Sequence, residues 1–508
     1  MVSVNSQKMA KNTVLMYLRM IVLIGVQLYT IPVVLRALGE EDYGVYNVIG
    51  GFVAMFSFVS GSLVSGCQRF LAYAIGEDDH DKLHDVFSSS VTIFAALSVV
   101  MFLLVEAVGL WYLNFKMHIP EGRMGEANLV FQFSALTLAV NIFVIPYHAV
   151  VVAHEDMSVF AYVSIFEAFF KLATALLLTV FLFYRLPLYA AFLLLSALGV
   201  AVFYLFFCRR QYAEAAHVRL RWNPTFAKDI GSYAGWNIIG SMANVMRNQG
   251  LNVVLNLFFL PAVNAAHAVA MQVKGLCEQF VNNVYMATRP QMVKQYAAGR
   301  TEEMWSITYR SAKYAFFLFT FLAVPLIVEL PIVLQLWLRK VPIHTVAFGR
   351  CMVVALMTET VVNQIIGVFQ AQNKIRFYQT VSSVILLLLL PLSYVALRIR
   401  PNPLVPYLLY IAISVLYALS LLWVGHRQLA LNLKVYLRRV VWPDVAVFLP
   451  ALLATWAVAS LLPPSLGRLG LSVVCSTVVA GLLVWLVGTD RGEHEAILQI
   501  LKKKTHKR

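Results

Sequence analysis

An all-α integral membrane protein with about fourteen transmembrane helices is the fold class the sequence predicts, and three observations predict it. Of 508 residues, 60% are hydrophobic and 13% are charged, against about half apolar in a soluble domain. Mean hydropathy is +0.75 over the whole chain. The apolar residues also fall into runs close to the ~20 residues that cross ~30 Å of hydrocarbon at about 1.5 Å per residue, with most charges gathered between the runs.

In chain order the spans read 13–35, 43–66, 87–113, 127–152, 158–184, 187–208, 231–257, 262–287, 314–337, 348–370, 377–397, 403–425, 444–462 and 469–488. The leading MVSVNSQKMAKN enters the first span directly. That span is too long for a signal-peptide core and no small-residue cleavage site follows, so it is expected to stay in the protein. The second span carries Gly50, Gly51, Gly61 and Gly66, and the seventh and eighth are rich in Asn and Gln. Broken or cavity-lining helices are expected there, because water-facing backbone tolerates polarity that lipid does not.

The formal net charge of +15 is topological rather than a sign of nucleic-acid binding. With the N-terminus in the cytoplasm, 26 of the 40 Lys and Arg residues fall on that side, 10 on the other, and four lie inside spans. The positive-inside rule then predicts a multi-pass membrane protein with both termini in the cytoplasm. The tail KKKTHKR (502–508) is solvated or touches anionic headgroups. Cys67, Cys208, Cys277, Cys351 and Cys475 show no metal-ligand or redox spacing and are expected to be apolar packing residues.

An internal duplication is expected. RFLAYAIGEDDHDKL from Arg69 and RPQMVKQYAAGRTEEMW from Arg289 both follow a span with an Arg at the membrane exit, then a Gly with acids. VVL at 33–35 recurs at 253–255. Matching offsets predict an N-terminal six-helix lobe (1–208), a basic cytoplasmic linker (209–228), a C-terminal six-helix lobe (229–425), two additional helices (426–488) and a basic tail (489–508).

Four cations, Arg19, Lys171, Arg247 and Lys274, sit within the apolar spans. A charge near mid-bilayer costs roughly 3 kcal/mol even on the lenient insertion scale, so together they point to a cavity for an anionic cargo. On the seventh span Asn237, Ser241, Asn244, Asn248, Asn252 and Asn256 recur every three or four residues and predict one polar, cavity-lining helix face, with packing glue as the competing reading. Arg247 lies beside that stripe. Lys274 has Glu278 at i+4 and Lys171 has Glu167 at i−4, so each is either a binding group or a neutralised helix pair. Glu359, with Asn363 on its face, is a candidate for ion coupling alongside Glu278 and Glu167; Glu106 and Glu329 are further embedded acids.

Five segments carry a family resemblance: LGEEDYGVYNVIGG (38–51), QRFLAYAIG (68–76), RPQMVKQYAAG (289–299), LWLRKVPIHTV (336–346) and FQAQNKIRFYQ (369–379). Across nearly its whole length the chain resembles the polysaccharide-exporter branch of the multidrug/oligosaccharidyl-lipid/polysaccharide superfamily, the Wzx-type flippases. The resemblance implies a polyprenyl-diphosphate-linked oligosaccharide as cargo, moved across the inner membrane by alternating access for O-antigen (lipopolysaccharide), capsule or exopolysaccharide synthesis. It implies membrane lipids and a polysaccharide polymerase machinery as partners, and H+ or Na+ as a coupling ion, with no other cofactor, no metal and no enzymatic activity. An Arg fork suits a diphosphate, which makes Arg247 the first candidate to hold it.

Two other classes stand beside this reading. A multidrug/cation antiporter of the related branch is expected to place an acid in a cavity-facing helix of the first lobe, whereas the first span holds Arg19 and no acid. A membrane glycosyltransferase or polymerase is expected to need a large periplasmic loop or a surface carboxylate cluster. The longest such loop is about 114–126, and HED (154–156) and GEDDHD (76–81) read as solvated turns.

Overall fold

The computed structural model describes residues 2–489 apart from 58–63, 65–66, 69, 72–73, 76–78, 121, 155, 181–183, 219–239, 339 and 373. The described chain is helical throughout, as the composition requires, and divides into two compact units. Unit 1 comprises residues 1–268 with 390–403, and unit 2 comprises 269–389 with 404–508. Asn237, residues 219–228 of the expected linker and the tail from 490 lie outside the described residues.

In unit 1, α1 (Val2–Ala54) holds the first two expected spans in one run of helix interrupted at Gly39, whose φ of 82° and ψ of 172° are non-helical. A side chain disfavours that backbone, and glycine permits it. The break frees carbonyls of the preceding turn, and Arg185 Nη1 donates to the Ala37 carbonyl at 2.8 Å. Arg123 clamps the second half by donating to Asp42 at 2.9 Å and Glu126 at 3.2 Å. Around α1 stand α2 (His80–Phe115), capped by Asp79, which accepts from Lys82 N; α3 (Met124–Phe143); α4 (Ile145–Ala153); α5 (Met157–Leu177); and α6 (Arg185–Gln211).

The segment before Ala268 packs within unit 1, so this unit extends past the expected lobe boundary at 208. Glycines make the close approach. A Cβ on Gly44 would lie 1.9 Å from the Pro261 carbonyl oxygen, and one on Gly51 would lie 2.7 Å from Asn252 Nδ2. These two glycines belong to the LGEEDYGVYNVIGG segment, and their role is to admit α7 (Leu251–Phe258) and the start of α8 (Pro261–Ala297) against α1. Residues 390–403 join the same unit through Leu390 against Gly250 and Tyr394 edge-on to Phe258 at 5.4 Å.

Unit 2 continues α8 and adds α9 (Thr301–Leu338), α10 (Thr345–Thr360), α11 (Gln364–Ala371), α12 (Ile375–Leu387), α14 (Val405–Leu429), α15 (Trp442–Leu461) and α16 (Leu466–Leu483), while α13 (Leu389–Ile399) lies almost wholly in unit 1. Phe348 of α10 stacks on Tyr407 of α14 at 3.9 Å. The last two helices pack on α9, and a buried ion pair fixes them: Arg468 donates to Glu329 at 2.8 Å and Ser472 donates to its other oxygen at 2.7 Å. Glu329, one of the embedded acids, is therefore a structural tie. Glu106 is likewise held within unit 1, accepting from Gln132 at 2.9 Å.

Among the described residues ten helices are long and apolar enough to cross a membrane, or eleven if α10 and α11, bent by 41° across their break, form one span. The difference from fourteen has three sources. Two expected spans merge in α1, the seventh lies partly in 219–239, and the Asn- and Gln-rich α8 is too polar to pass on composition.

Two outcomes are expected from this packing. Gly44→Ala places a methyl against backbone that cannot yield, so stability in detergent should fall by about 1–3 kcal/mol; an unchanged melting temperature contradicts the seam. Glu329→Ala strands Arg468 in the unit 2 core and should cost about 3–5 kcal/mol, whereas Glu329→Ala combined with Arg468→Leu should recover part of that loss in the same assay.

Candidate functional site

The described polar residues of the seventh span differ in what they meet. A π turn at Met246–Gly250 lies in the middle of this helix, and its extra residue offsets the drift of a four-residue period, which keeps Asn252 and Asn256 near the face of Asn244. On the N-terminal side Asn244 is exposed and Ser241 is half-buried, and Asn248, within the turn, is half-buried. Beyond it Asn252 and Asn256 are buried, and their amides are committed to neighbours. Asn252 Nδ2 donates to the Asn47 carbonyl at 2.8 Å. Asn256 Oδ1 accepts from His118 N at 3.0 Å, and Asn264 Nδ2 donates to both the carbonyl and the side chain of Asn252. The cavity-lining expectation for Asn252 and Asn256 is corrected accordingly: these two are packing glue that holds α7 to α1. The open part of the stripe is its first half.

Arg247 is the basic residue of the π turn and is 3% exposed. A guanidinium buried at a π turn is an expensive arrangement, and such turns recur where a helix serves a ligand. Lys274, in unit 2, is 2% exposed and donates to Glu278 at 3.2 Å; Glu278 is half-buried. The i+4 spacing thus forms a pair in which the cation is buried and the carboxylate faces outward.

Arg19 and Lys171 belong together in unit 1. Lys171 is exposed and donates to Glu167 at 2.6 Å. The Arg19 guanidinium lies 4.4 Å over the Phe160 ring and within the field of Glu167. Both cations therefore bear on one carboxylate, and His148, in a run otherwise apolar, lies in the field of Arg19 as well.

Glu359 is 6% exposed at the end of α10 and accepts from Ser414 Oγ at 2.7 Å. The helix breaks immediately after it, and the freed carbonyls find tyrosine hydroxyls: Tyr285 donates to Thr360 at 3.0 Å and Tyr436 donates to Val361. Gln364, which opens α11, donates to Ser311 Oγ at 2.7 Å. Asn363 accepts from Tyr417 at 3.4 Å. A buried acid at a buttressed helix break is a suitable place for an ion to bind. Asp444 is a buried carboxyl that sequence reading missed; it is 1% exposed, its two oxygens have no hydrogen-bond partner among the described residues, and it lies in the field of the buried Lys313. Both sit at span edges, where a charge reads as interfacial.

Among the described residues no group of His, Cys, Asp and Glu side chains could hold a metal ion. Cys67, Cys208 and Cys277 are buried thiols without disulfides.

By sequence the chain matches no protein-family model and no curated protein. By structure it is similar to the lipid II flippase MurJ in an inward closed conformation, with a TM-score of 0.69 and 11% identity over 93% of this chain and 98% of that one. It is also similar to an outward-facing multidrug resistance MATE family transporter of the MOP superfamily, at 0.56 and 16% over 83% and 96%. A MOP superfamily transporter from Pyrococcus furiosus, whose report describes reversed polarity of the binding pocket, matches at 0.56 and 16% over 82% and 95%. The chain has the fold of these membrane transporters.

His154 and Asp156, expected in a solvated turn, are half-buried and held by neighbours. His154 meets Glu214 at 2.7 Å and stacks on Tyr212 at 4.4 Å, and the Tyr212 hydroxyl donates to Asp156 at 2.6 Å. Burial pushes the Glu214 carboxyl up, but the His154 hydrogen bond, the backbone and the charges of His154 and His80 outweigh it and hold the group below its ordinary value. A carboxyl depressed on folding contributes stability above its unfolded pKa of about 4.3 and loses it as pH falls toward the folded value. Thermal stability should therefore drop as pH falls below the unfolded value of about 4.3, and Glu214→Gln should flatten that part of the profile; an identical slope in the variant would remove Glu214 from the account.

Proposed function

We propose that this chain is a flippase for a polyprenyl-diphosphate-linked oligosaccharide in the bacterial inner membrane, with both termini cytoplasmic, serving synthesis of O-antigen, capsule or exopolysaccharide. The observation that carries this reading is the burial of Arg247 at a π turn, in a helix that presents Ser241 and Asn244 before the turn and Asn248 within it. Burying a cation opposes insertion, and an anionic cargo with many acceptor oxygens gives it a use. A diphosphate offers such oxygens, and a guanidinium grips them through two parallel hydrogen bonds without losing its proton. Lys274 of unit 2, buried beside Glu278, and Arg19 and Lys171 of unit 1 are further cations, each a separate candidate to meet an anionic cargo. The similarity in fold to a structure named as a lipid II flippase supports a lipid-linked cargo.

Glu359, at the helix break, is the proposed coupling group for H+ or Na+, ahead of Glu278 and Glu167, whose carboxylates are each paired with a lysine. The duplicated six-helix lobes and the two added helices are part of the same proposal. A multidrug antiporter reading is disfavoured at Glu167, which already faces two cations, so an organic cation meets no uncompensated negative charge at that residue.

Surface polymer in a deletion strain, complemented at matched protein level, tests the role of Arg247. Arg247→Lys keeps the charge but loses the fork and should retain part of the transport. Arg247→Ala removes a charge-assisted pair of about 1.5–3 kcal/mol and should lower export roughly 10- to 100-fold. Wild-type polymer from Arg247→Ala excludes the proposed role.

A further inference from the structure

Unit 1 holds a cavity of about 210 Å³ among α3, α4, α5 and α6. Its wall carries Asn141, His148, Ser164, Glu167 and the Tyr204 side chain, with Phe160 on one side. At about 30 Å³ per water molecule the space corresponds to about seven waters, which is room for a small polar solute. Two nitrogens at this place, His148 Nε2 and Arg19 Nε, are buried with no hydrogen-bond partner among the described residues. Buried polar atoms are rarely left so, and two of them beside a cavity whose lining is part polar and part apolar, with Val144, Ile145, Val163 and Val200, point to a ligand that hydrogen-bonds through part of its surface.

The charge balance selects the chemistry of that occupant. Glu167 is bonded to Lys171 at 2.6 Å, and the Arg19 guanidinium covers the Phe160 ring at 4.4 Å. Glu167 is the charged residue of the lining, and with Lys171 and Arg19 both bearing on it from outside the cavity it leaves no uncompensated negative charge for an organic cation. Arg19 over its ring also denies Phe160 to a flat aromatic ligand on that side. What remains is a group that is neutral or acidic and rich in hydroxyls. His148 and Tyr204 each donate or accept, Asn141 does both at once, and Glu167 accepts, so the wall answers hydroxyl groups in either direction.

We propose that this cavity is a glycan subsite that takes one sugar ring of the cargo, separate in chemistry from the cations assigned to the diphosphate. It rests on the lipid-linked oligosaccharide reading and deepens it by naming where the sugar is recognised. Selectivity among surface polysaccharides then follows from Asn141, His148, Ser164, Glu167 and Tyr204, because a site built to hydrogen-bond a hydroxyl rejects an analogue that lacks it.

The test uses the full-length protein in detergent. The probe is the free reducing oligosaccharide released by mild acid from the host's own surface polymer, followed by saturation-transfer NMR. Wild-type protein should transfer saturation to the sugar. Arg247→Ala should still do so, since the probe carries no diphosphate. Ala197→Trp, which fills the cavity from α6, should abolish the transfer. Asn141→Leu with Tyr204→Phe, which removes hydrogen-bonding groups without adding bulk, should weaken sugar affinity at least tenfold, and both variants should lower polymer export at least tenfold at matched protein level and melting temperature. Transfer and export that survive both variants overturn the subsite and leave the flippase reading standing. Intact polymer in the deletion strain, with no transfer to wild-type protein, overturns the flippase reading and the subsite with it. Saturation of ethidium lost in Ala197→Trp, with no sugar signal, assigns the cavity to organic cations instead.

Discussion

A polar group carried into hydrocarbon must find its partner inside the protein, and much of this structure follows from that constraint. Breaks and buried charges are tolerated where a side chain answers them. Gly39 breaks α1 and Arg185 takes an open carbonyl; the helix breaks after Glu359 and Tyr285 and Tyr436 take the next two. Glu329 is buried and receives both Arg468 and Ser472. Each of these is a local fault in regular structure repaired by a residue far away in the chain.

The same constraint separates structural polarity from functional polarity. Asn252, Asn256 and Asn264 form a closed set of amides that answer one another, Asn47 and His118. Nothing is left over there for a ligand. At Arg19 and His148, by contrast, nitrogens remain unanswered beside a cavity. Polar groups left over beside a cavity, rather than in closed packing, are the physical ground for reading a binding site there.

Glycine controls how closely the elements of unit 1 approach. Gly44 and Gly51 permit contacts with Pro261 and Asn252 that any side chain would block. The segment from Leu38 to Gly51 thus reads as a packing surface with a turn at its start, and its resemblance to a transporter family reports architecture rather than cargo. That agrees with structural similarity spanning nearly the whole chain at low sequence identity: the backbone arrangement persists while the groups that choose a cargo change.

Composition and hydropathy alone determined the membrane class and the all-α fold, because a bilayer accepts so few kinds of backbone. Local spacing also determined the pairs Lys274–Glu278 and Lys171–Glu167, since four residues along a helix bring two side chains together. Spacing could not tell cavity lining from packing along the seventh span. Ser241, Asn244 and Asn248 keep accessible surface while Asn252 and Asn256 are buried, because Asn47, His118 and Asn264 from other segments meet only the second part of the helix. The long-range partners were equally hidden: Arg468 for Glu329, Ser414 for Glu359, His118 for Asn256 and Glu214 for His154 are 55 to 139 residues apart, and only tertiary packing decides which polar residue meets which. Asp444 and Lys313 were missed for the same reason, because depth in the core is a property of the packed helices rather than of position at the edge of an apolar run.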